Sequence, residues 1–220
     1  MTDQIQILYD DRDLIVCVKP AGISAEADMP ARLQAQTGAP EAIRCVHRLD
    51  TAVGGVMVYA KHRDAAAALS RAIAEGRVEK RYLAVCAGCP EPSEGVMRDL
   101  LFKDARKNKS YVVTRMRKGV REASLTYRVL QTAEAASLVE IRLQTGRSHQ
   151  IRVQFASRTH PLLGDVKYGS AVKDCGIALW SCRLSFPHPS GQAELTFTQP
   201  PPSAWPWTLF SIGENCDAEL

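Results

Sequence analysis

Short apolar runs separated by turn residues dominate the chain. Ile5 to Tyr9 and Leu14 to Val18 read as two strands around the acidic turn Asp10-Asp11-Arg12-Asp13, because acidic clusters between hydrophobic stretches favour turns. Lys19-Pro20-Ala21-Gly22 ends the second run. Residues 23 to 42 are mostly small and polar, with Pro30, Gly38 and Pro40, and read as a surface excursion. Val56-Met57-Val58-Tyr59-Ala60 is strand-like again. From Arg63 to Glu75 the period changes. Ala65, Leu69, Ala72 and Ile73 supply a buried helical face, and Gly76 marks its end.

The strand pattern resumes at Arg81 to Cys86, Tyr111 to Thr114, Ala123 to Leu130 and Leu138 to Leu143. In the third of these, Leu125, Tyr127 and Val129 alternate with Ser124, Thr126 and Arg128, the period of a half-buried strand. Ser148 to Ser157 is a second predicted helix, with Ser148 as its cap and Gly146 opening the turn before it. Ile177 to Phe186 and Ala193 to Thr198 are late strands, Pro200-Pro201-Pro202 ends regular structure, and Trp205, Trp207 and Phe210 form a short lid or helix. Strands outnumber helices and do not alternate with them, so the expected class is α+β with a mixed, largely antiparallel sheet flanked by helices and loops. No repeat or long linker divides residues 1–220, which are expected to form a single domain.

With 45% hydrophobic residues in short runs, the chain suits a globular core and offers nothing to span a bilayer. The start, Met1-Thr2-Asp3-Gln4, lacks a basic region followed by an apolar stretch, so a cytoplasmic protein is expected. The net charge of +4 is modest, but its distribution is informative. Lys103, Arg106, Lys107, Lys109, Arg115, Arg117, Lys118 and Arg121 share one window with Tyr111, and Asp104 is the one acid among the basic residues. Such a window fits a nucleic-acid backbone surface or, equally, a solvated hairpin. The seven cysteines include a single C-x-x-C, Cys86 and Cys89, followed by Pro90. A zinc ribbon needs a second pair, so no metal is expected and the thiols read as reduced and structural. The absence of a heptad pattern favours a monomer.

Four segments combine reactive groups with special backbone: His47-Arg48-Leu49-Asp50, Lys80-Arg81-Tyr82-Leu83-Ala84-Val85, Thr145-Gly146-Arg147-Ser148-His149-Gln150-Ile151-Arg152, and His160-Pro161-Leu162-Leu163-Gly164-Asp165 running on to Tyr168-Gly169. Asp50 precedes a small-residue run and is a candidate positioned carboxylate or a plain turn residue. A helix beginning near Ser148 puts His149 and Arg152 on one face. An arginine near a helix N-terminus is electrostatically misplaced unless an anion faces it, and Asp50 is a candidate partner. A two-carboxylate hydrolase would need a second acid, and Asp165 reads more simply as a turn residue. Nucleotide-binding, Walker and nucleophile-elbow motifs are absent.

Together with Leu14-to-Gly22 and Leu184-Ser185-Phe186-Pro187-His188-Pro189, these segments, in this order, resemble the RluA family of RNA pseudouridine synthases, from Ile7 to about Phe197. The resemblance implies the pseudouridine synthase fold with a central RNA-binding cleft. It implies isomerisation of selected uridines in ribosomal or transfer RNA, without cofactor or metal. Asp50 aligns with the family's essential aspartate, Tyr82 with the tyrosine that stacks on the base, and Arg152 with the basic partner of the aspartate. Arg48 matches the arginine that fills the space left by the flipped uridine, and Leu179 a pocket wall. His47, Arg147 and His149 join them as candidate substrate-binding residues. Lys103, Arg106, Lys107, Lys109, Arg115 and Arg117 are candidate contacts to the RNA backbone.

Where the family commonly has Thr-Ser-Gly-Leu, this chain has Val53-Gly54-Gly55-Val56, which keeps the turn and loses a hydroxyl pair. An appended N-terminal RNA-binding domain, common in relatives, is not expected here. A non-catalytic RNA-binding module on the same fold is the alternative reading.

Overall fold

The computed structural model describes residues 4–40, 42–191, 193–213 and 216. In chain order the strands are β1 (Gln6–Asp10), β2 (Leu14–Lys19), β3 (Arg44–Cys45), β4 (Gly54–Ala60), β5 (Glu79–Ala87), β6 (Glu94–Asp104), β7 (Lys109–Val113), β8 (Val120–Ala133), β9 (Ala136–Leu143), β10 (Leu179–Pro187) and β11 (Glu194–Thr198). The α-helices are α1 (Met29–Thr37), α2 (Arg63–Ala74) and α3 (Gln150–Ala156). Two compact units form, one chiefly from Met1–Lys80 and Trp180–Pro200, the other chiefly from Arg81–Leu179 and Pro201–Gly213. Among the described residues no helix is long and apolar enough to cross a membrane.

In the first unit, β2 pairs antiparallel with β1 and β4, and β10 runs parallel to β4 and antiparallel to β11. Every residue of β2 and β4 is buried, so these strands read as continuous apolar runs rather than as an alternation. Leu14, Val16, Val56, Val58 and Ala60 meet Ala65 and Leu69 of α2, with Leu184 and Phe186 of β10. The helix starts where His62 accepts the Ala65 N–H, and its buried residues Ala65, Leu69 and Ala72 follow helical spacing. The acidic turn between β1 and β2 is stitched down by Lys61 on Asp10, His188 on Asp11 and His62 on Asp13.

The excursion at residues 23–42 contains α1, which the sequence pattern did not predict. Pro30 and Gly38, residues that equally punctuate loops, mark the helix's two ends. Proline is tolerated in the first turn, where its missing N–H costs nothing, and Gly38 adopts the left-handed conformation that closes the last turn. Only Met29 and Leu33 of α1 are buried, too few to announce a helical face.

The second unit is a wholly antiparallel sheet in the order β5-β9-β8-β6-β7. Strand β6 was also not predicted. Gly95, Asp99 and its other charges disguise it, yet it pairs with β8 from Glu94 to Phe102 and buries Met97 and Leu101. Helix α3 lies against this sheet, Val153 among Leu101, Ala123 and Tyr168, and Phe155 edge-on to Tyr127. It is shorter than predicted, and Ser148 does not cap it; the N-cap is His149, at φ 53. The tail forms one 3₁₀ turn, Trp207–Leu209, and is tied to β8 by paired Gln131–Ser211 hydrogen bonds.

Candidate active site

Asp50 sits in the first unit, in a turn whose Val53 N–H donates to the Asp50 carbonyl at 2.9 Å. The turn is anchored by Lys19, at the end of β2. This lysine has no exposed surface. Its ammonium donates to the carbonyls of Pro20 and Ile23, both at 2.8 Å, and of Thr51 at 3.2 Å. The Gly22 N–H donates to Thr51 O at 2.7 Å, so two loops are joined directly beside Asp50. Burial pushes the Lys19 ammonium down to about 8, against the charge of Asp50, which favours the protonated form. A cation is thus built in next to the carboxylate.

His47 is bound into the fold rather than turned outward. Its Nε2 accepts the Val58 N–H of β4 at 3.1 Å. Burial first, and the Lys80 charge second, push its pKa well below the ordinary histidine value. It is a neutral ring that holds the chain entering the Asp50 turn. Arg48, by contrast, is exposed and meets Glu26 at 3.6 Å in a surface pair, an interaction of small energy that leaves its guanidinium available.

Tyr82 and Arg152 belong to the second unit. Tyr82 is buried on β5 opposite Ile141 of β9. Arg152 is only 5% exposed, and Asp165, 1% exposed, grips it through Nε at 2.7 Å and Nη2 at 2.8 Å. Asp165 is a turn residue, as expected, at the N-cap of the 3₁₀ segment Val166–Tyr168, and it is also a buried ionic partner of Arg152. A bidentate, desolvated pair of this kind fixes geometry, since removing either member would strand a buried charge. The Tyr168 ring lies 5.1 Å from the Arg152 guanidinium carbon. Gln150 shapes the start of α3, accepting from the Arg147 N–H and from the Thr145 hydroxyl while donating to Ser124 O.

The RNA pseudouridylate synthase family model matches residues 13–157, a span that holds Asp50, Tyr82 and Arg152. The chain belongs to that family. A Mycobacterium bovis protein named as an uncharacterized RNA pseudouridine synthase is 34% identical over 216 residues, covering 90% of this chain and 69% of that protein. The ribosomal large subunit pseudouridine synthase D of Neisseria meningitidis serogroup A is 32% identical, covering 90% of this chain and 58% of that protein. Human RNA pseudouridylate synthase domain containing 4 superposes with a TM-score of 0.76 at 25% identity, covering 90% of this chain and 88% of that structure. The family's reaction is the isomerisation of uridine in RNA.

Within Val53-Gly54-Gly55-Val56, the glycine at 54 in place of the family's serine has a steric reason, and so does the glycine that both patterns share at 55. A Cβ on Gly54 would stand 2.4 Å from the Trp180 ring of β10, and one on Gly55 would meet Ser181 backbone at 2.3 Å. Trp180 occupies the space a side chain at 54 would take, and its indole N–H donates to Gln199 O at 2.9 Å.

The other candidates divide. His149 is buried, with Nδ1 2.9 Å from the Tyr168 hydroxyl. Arg147 donates from Nε to Glu122 O at 2.9 Å, and Leu179 is buried at the start of β10. Within the basic window, Lys103 binds Asn108 at 2.5 Å and Ser148 at 2.8 Å, and Lys109 binds Lys167 O at 2.6 Å. Lys103 thus ties the β6–β7 hairpin to the segment before α3, and Lys109 ties it to the 3₁₀ segment Val166–Tyr168 after α3. Arg106, Lys107, Arg115 and Arg117 are exposed, with Arg117 over the Phe102 ring at 5.0 Å. Lys19 was missed as a site residue, because a lysine before proline at a strand end looks like an ordinary terminator. Its burial between two loops is visible only once β2 and the Asp50 turn are folded together.

Proposed function

We propose that this protein converts uridines of large-subunit ribosomal RNA to pseudouridine, with Asp50 as the essential carboxylate. The glycosidic bond from C1′ to N1 breaks, the uracil turns, a bond forms from C1′ to C5, the C5 proton leaves and N1 takes up a proton, so that the product is an isomer of the substrate. The observation that carries the reading is the Asp50 turn, held by a buried ammonium inside a segment matched by the family model. A carboxylate beside a fixed cation can serve as nucleophile or base. Tyr82 is assigned to hold the extruded base through its ring, and Arg152 to face the carboxylate as its basic partner.

Arg48, on the surface, is assigned to enter the stack when the uridine leaves it, a step the chemistry demands because C1′ and C6 are shielded in a helix. Arg106, Lys107, Arg115 and Arg117 are assigned to RNA phosphates. Lys103 and Lys109 are assigned to keep their hairpin in place. Residues 1–220 act as one catalytic domain in this reading, monomeric and cytoplasmic, with no cofactor. The large-subunit target is supported by the name of the Neisseria relative.

The test is pseudouridine mapping of total RNA from cells with and without the gene, followed by modification of the mapped RNA by the purified protein. Loss of one or more sites in 23S-type RNA, restored by the wild-type protein, is the expected result. Loss confined to transfer RNA would overturn the target assignment, and an unchanged map with no activity in vitro would overturn the function.

A further inference from the structure

One short turn grips Arg152 from two directions. The Tyr168 N–H donates to Asp165 O at 3.0 Å, closing a turn that runs through the 3₁₀ segment Val166–Tyr168. Residues three apart in such a turn lie on the same side. The Asp165 carboxylate and the Tyr168 ring therefore project together toward α3. Asp165 takes the Nε and Nη2 edge of the guanidinium, and Tyr168 presents its ring 5.1 Å from Cζ. A planar cation held along one edge and beside one ring has its remaining donors aimed by that grip.

Tyr168 is itself fixed. Its hydroxyl accepts the Ser110 N–H of β7 at 2.8 Å and lies 2.9 Å from His149 Nδ1. Lys109, next to Ser110, places its ammonium 5.0 Å from the centroid of the same ring. The ring therefore carries two cations and is anchored on β7, the edge strand of the basic hairpin. Asp165 alone could neutralise Arg152. The ring adds restraint from a second direction, and its negative face favours the cation where an aliphatic side chain of similar bulk would not.

We propose that Tyr168 is a positioning residue for Arg152: its ring orients the guanidinium for the reaction, and its hydroxyl ties that orientation to the β6–β7 hairpin. The proposal rests on the assignment of Arg152 as the basic partner of the reacting carboxylate.

Two substitutions separate ring from hydroxyl. Tyr168→Phe keeps the ring and strands the Ser110 N–H. Tyr168→Leu removes both and keeps apolar bulk. The full chain is assayed with an RNA substrate for kcat and KM, and its thermal unfolding is followed. Hydrogen exchange of the Arg152 Nε–H is read by nitrogen-15 NMR, with the signal identified by its loss in Arg152→Lys.

Tyr168→Phe should melt earlier yet keep kcat within about threefold and leave the Nε–H protected. Tyr168→Leu should lose about tenfold or more in kcat with KM little changed, and its Nε–H should exchange about tenfold faster. Equal losses of kcat in the two variants that follow their melting temperatures would overturn the proposal, as would a leucine variant with wild-type kcat and exchange. If the leucine variant does not fold, Tyr168→Phe decides alone, because an exposed Nε–H in that variant contradicts positioning by the ring. The exchange measurement needs no activity. An inactive wild type with the exchange pattern intact would refute the functional assignment of Arg152 and leave the grip standing. An active wild type that needs Arg152 but is indifferent to Tyr168→Leu would refute the positioning role alone.

Discussion

Replacing Lys19 by methionine removes the ammonium that holds the Asp50 turn while keeping an unbranched apolar stem. Three carbonyls, those of Pro20, Ile23 and Thr51, lose their charged donor. Hydrogen bonds to a charged group are worth about 1.5–3 kcal/mol each. Burial of the ammonium takes back about 3 kcal/mol of that total, the equivalent of a fall from 10.5 to about 8. The wild type should therefore exceed the methionine variant by about 1.5–6 kcal/mol near pH 7. The difference also depends on pH. Folding depresses this lysine's pKa, so between about 8 and 10.5 the unfolded chain holds a proton that the native chain has released. Stability from this group is full above the upper value and is lost as pH falls through the lower one. The gap between wild type and variant should widen by about 2 kcal/mol from pH 8 to pH 9.5. Urea unfolding of both proteins at pH 7, 8 and 9.5 measures it, since the other titrations are common to both and cancel. A gap that stays constant or narrows would refute the buried-ammonium account, as would full isomerase activity in the variant.

Other substitutions address other parts of the structure. Gly54→Ser, which restores the residue common in the family, should destabilise by about 1–3 kcal/mol in chemical denaturation, because Trp180 fills that space; Trp180→Leu in the same chain should recover part of the loss. Arg106→Ala, Lys107→Ala and Arg115→Ala combined should weaken RNA binding and reduce the slope of log affinity against log salt by about 2–3, with the melting temperature little changed. Lys103→Ala should instead lower the melting temperature, because its ammonium joins Asn108 to Ser148. Arg48→Ala should change stability by less than about 1 kcal/mol, its pair with Glu26 being exposed, while slowing single-turnover isomerisation in structured RNA more than in a short single strand.

Elements with a strong period were readable from the residues alone. Helix α2 shows its face through Ala65, Leu69 and Ala72, and β8 shows its alternation through Leu125 and Tyr127. Elements whose evidence is tertiary were not. Helix α1 buries two side chains and is bounded by a proline and a glycine that equally mark loops. Strand β6 owes its conformation to pairing with β8 and β7 on its two sides, which overrides the weak strand preference of Gly95 and Asp99. In the site, the motif around Asp50 was visible because its residue types are unusual together. What Asp165, Lys19 and Tyr168 do was hidden, because each acts through a partner distant in sequence: Arg152, Thr51 and Ser110 respectively. Ser148 was misread for a related reason. Its hydroxyl accepts from Lys103 rather than capping α3, and Gln150 orders the helix start instead.

The central claim is that Asp50 carries the isomerisation, and tritium release from RNA labelled at C5 of uridine tests it most directly. The wild-type protein should release tritium, and Asp50→Asn should release none above background while retaining the wild-type melting temperature and RNA affinity. Undiminished release from a folded Asp50→Asn variant would contradict the account.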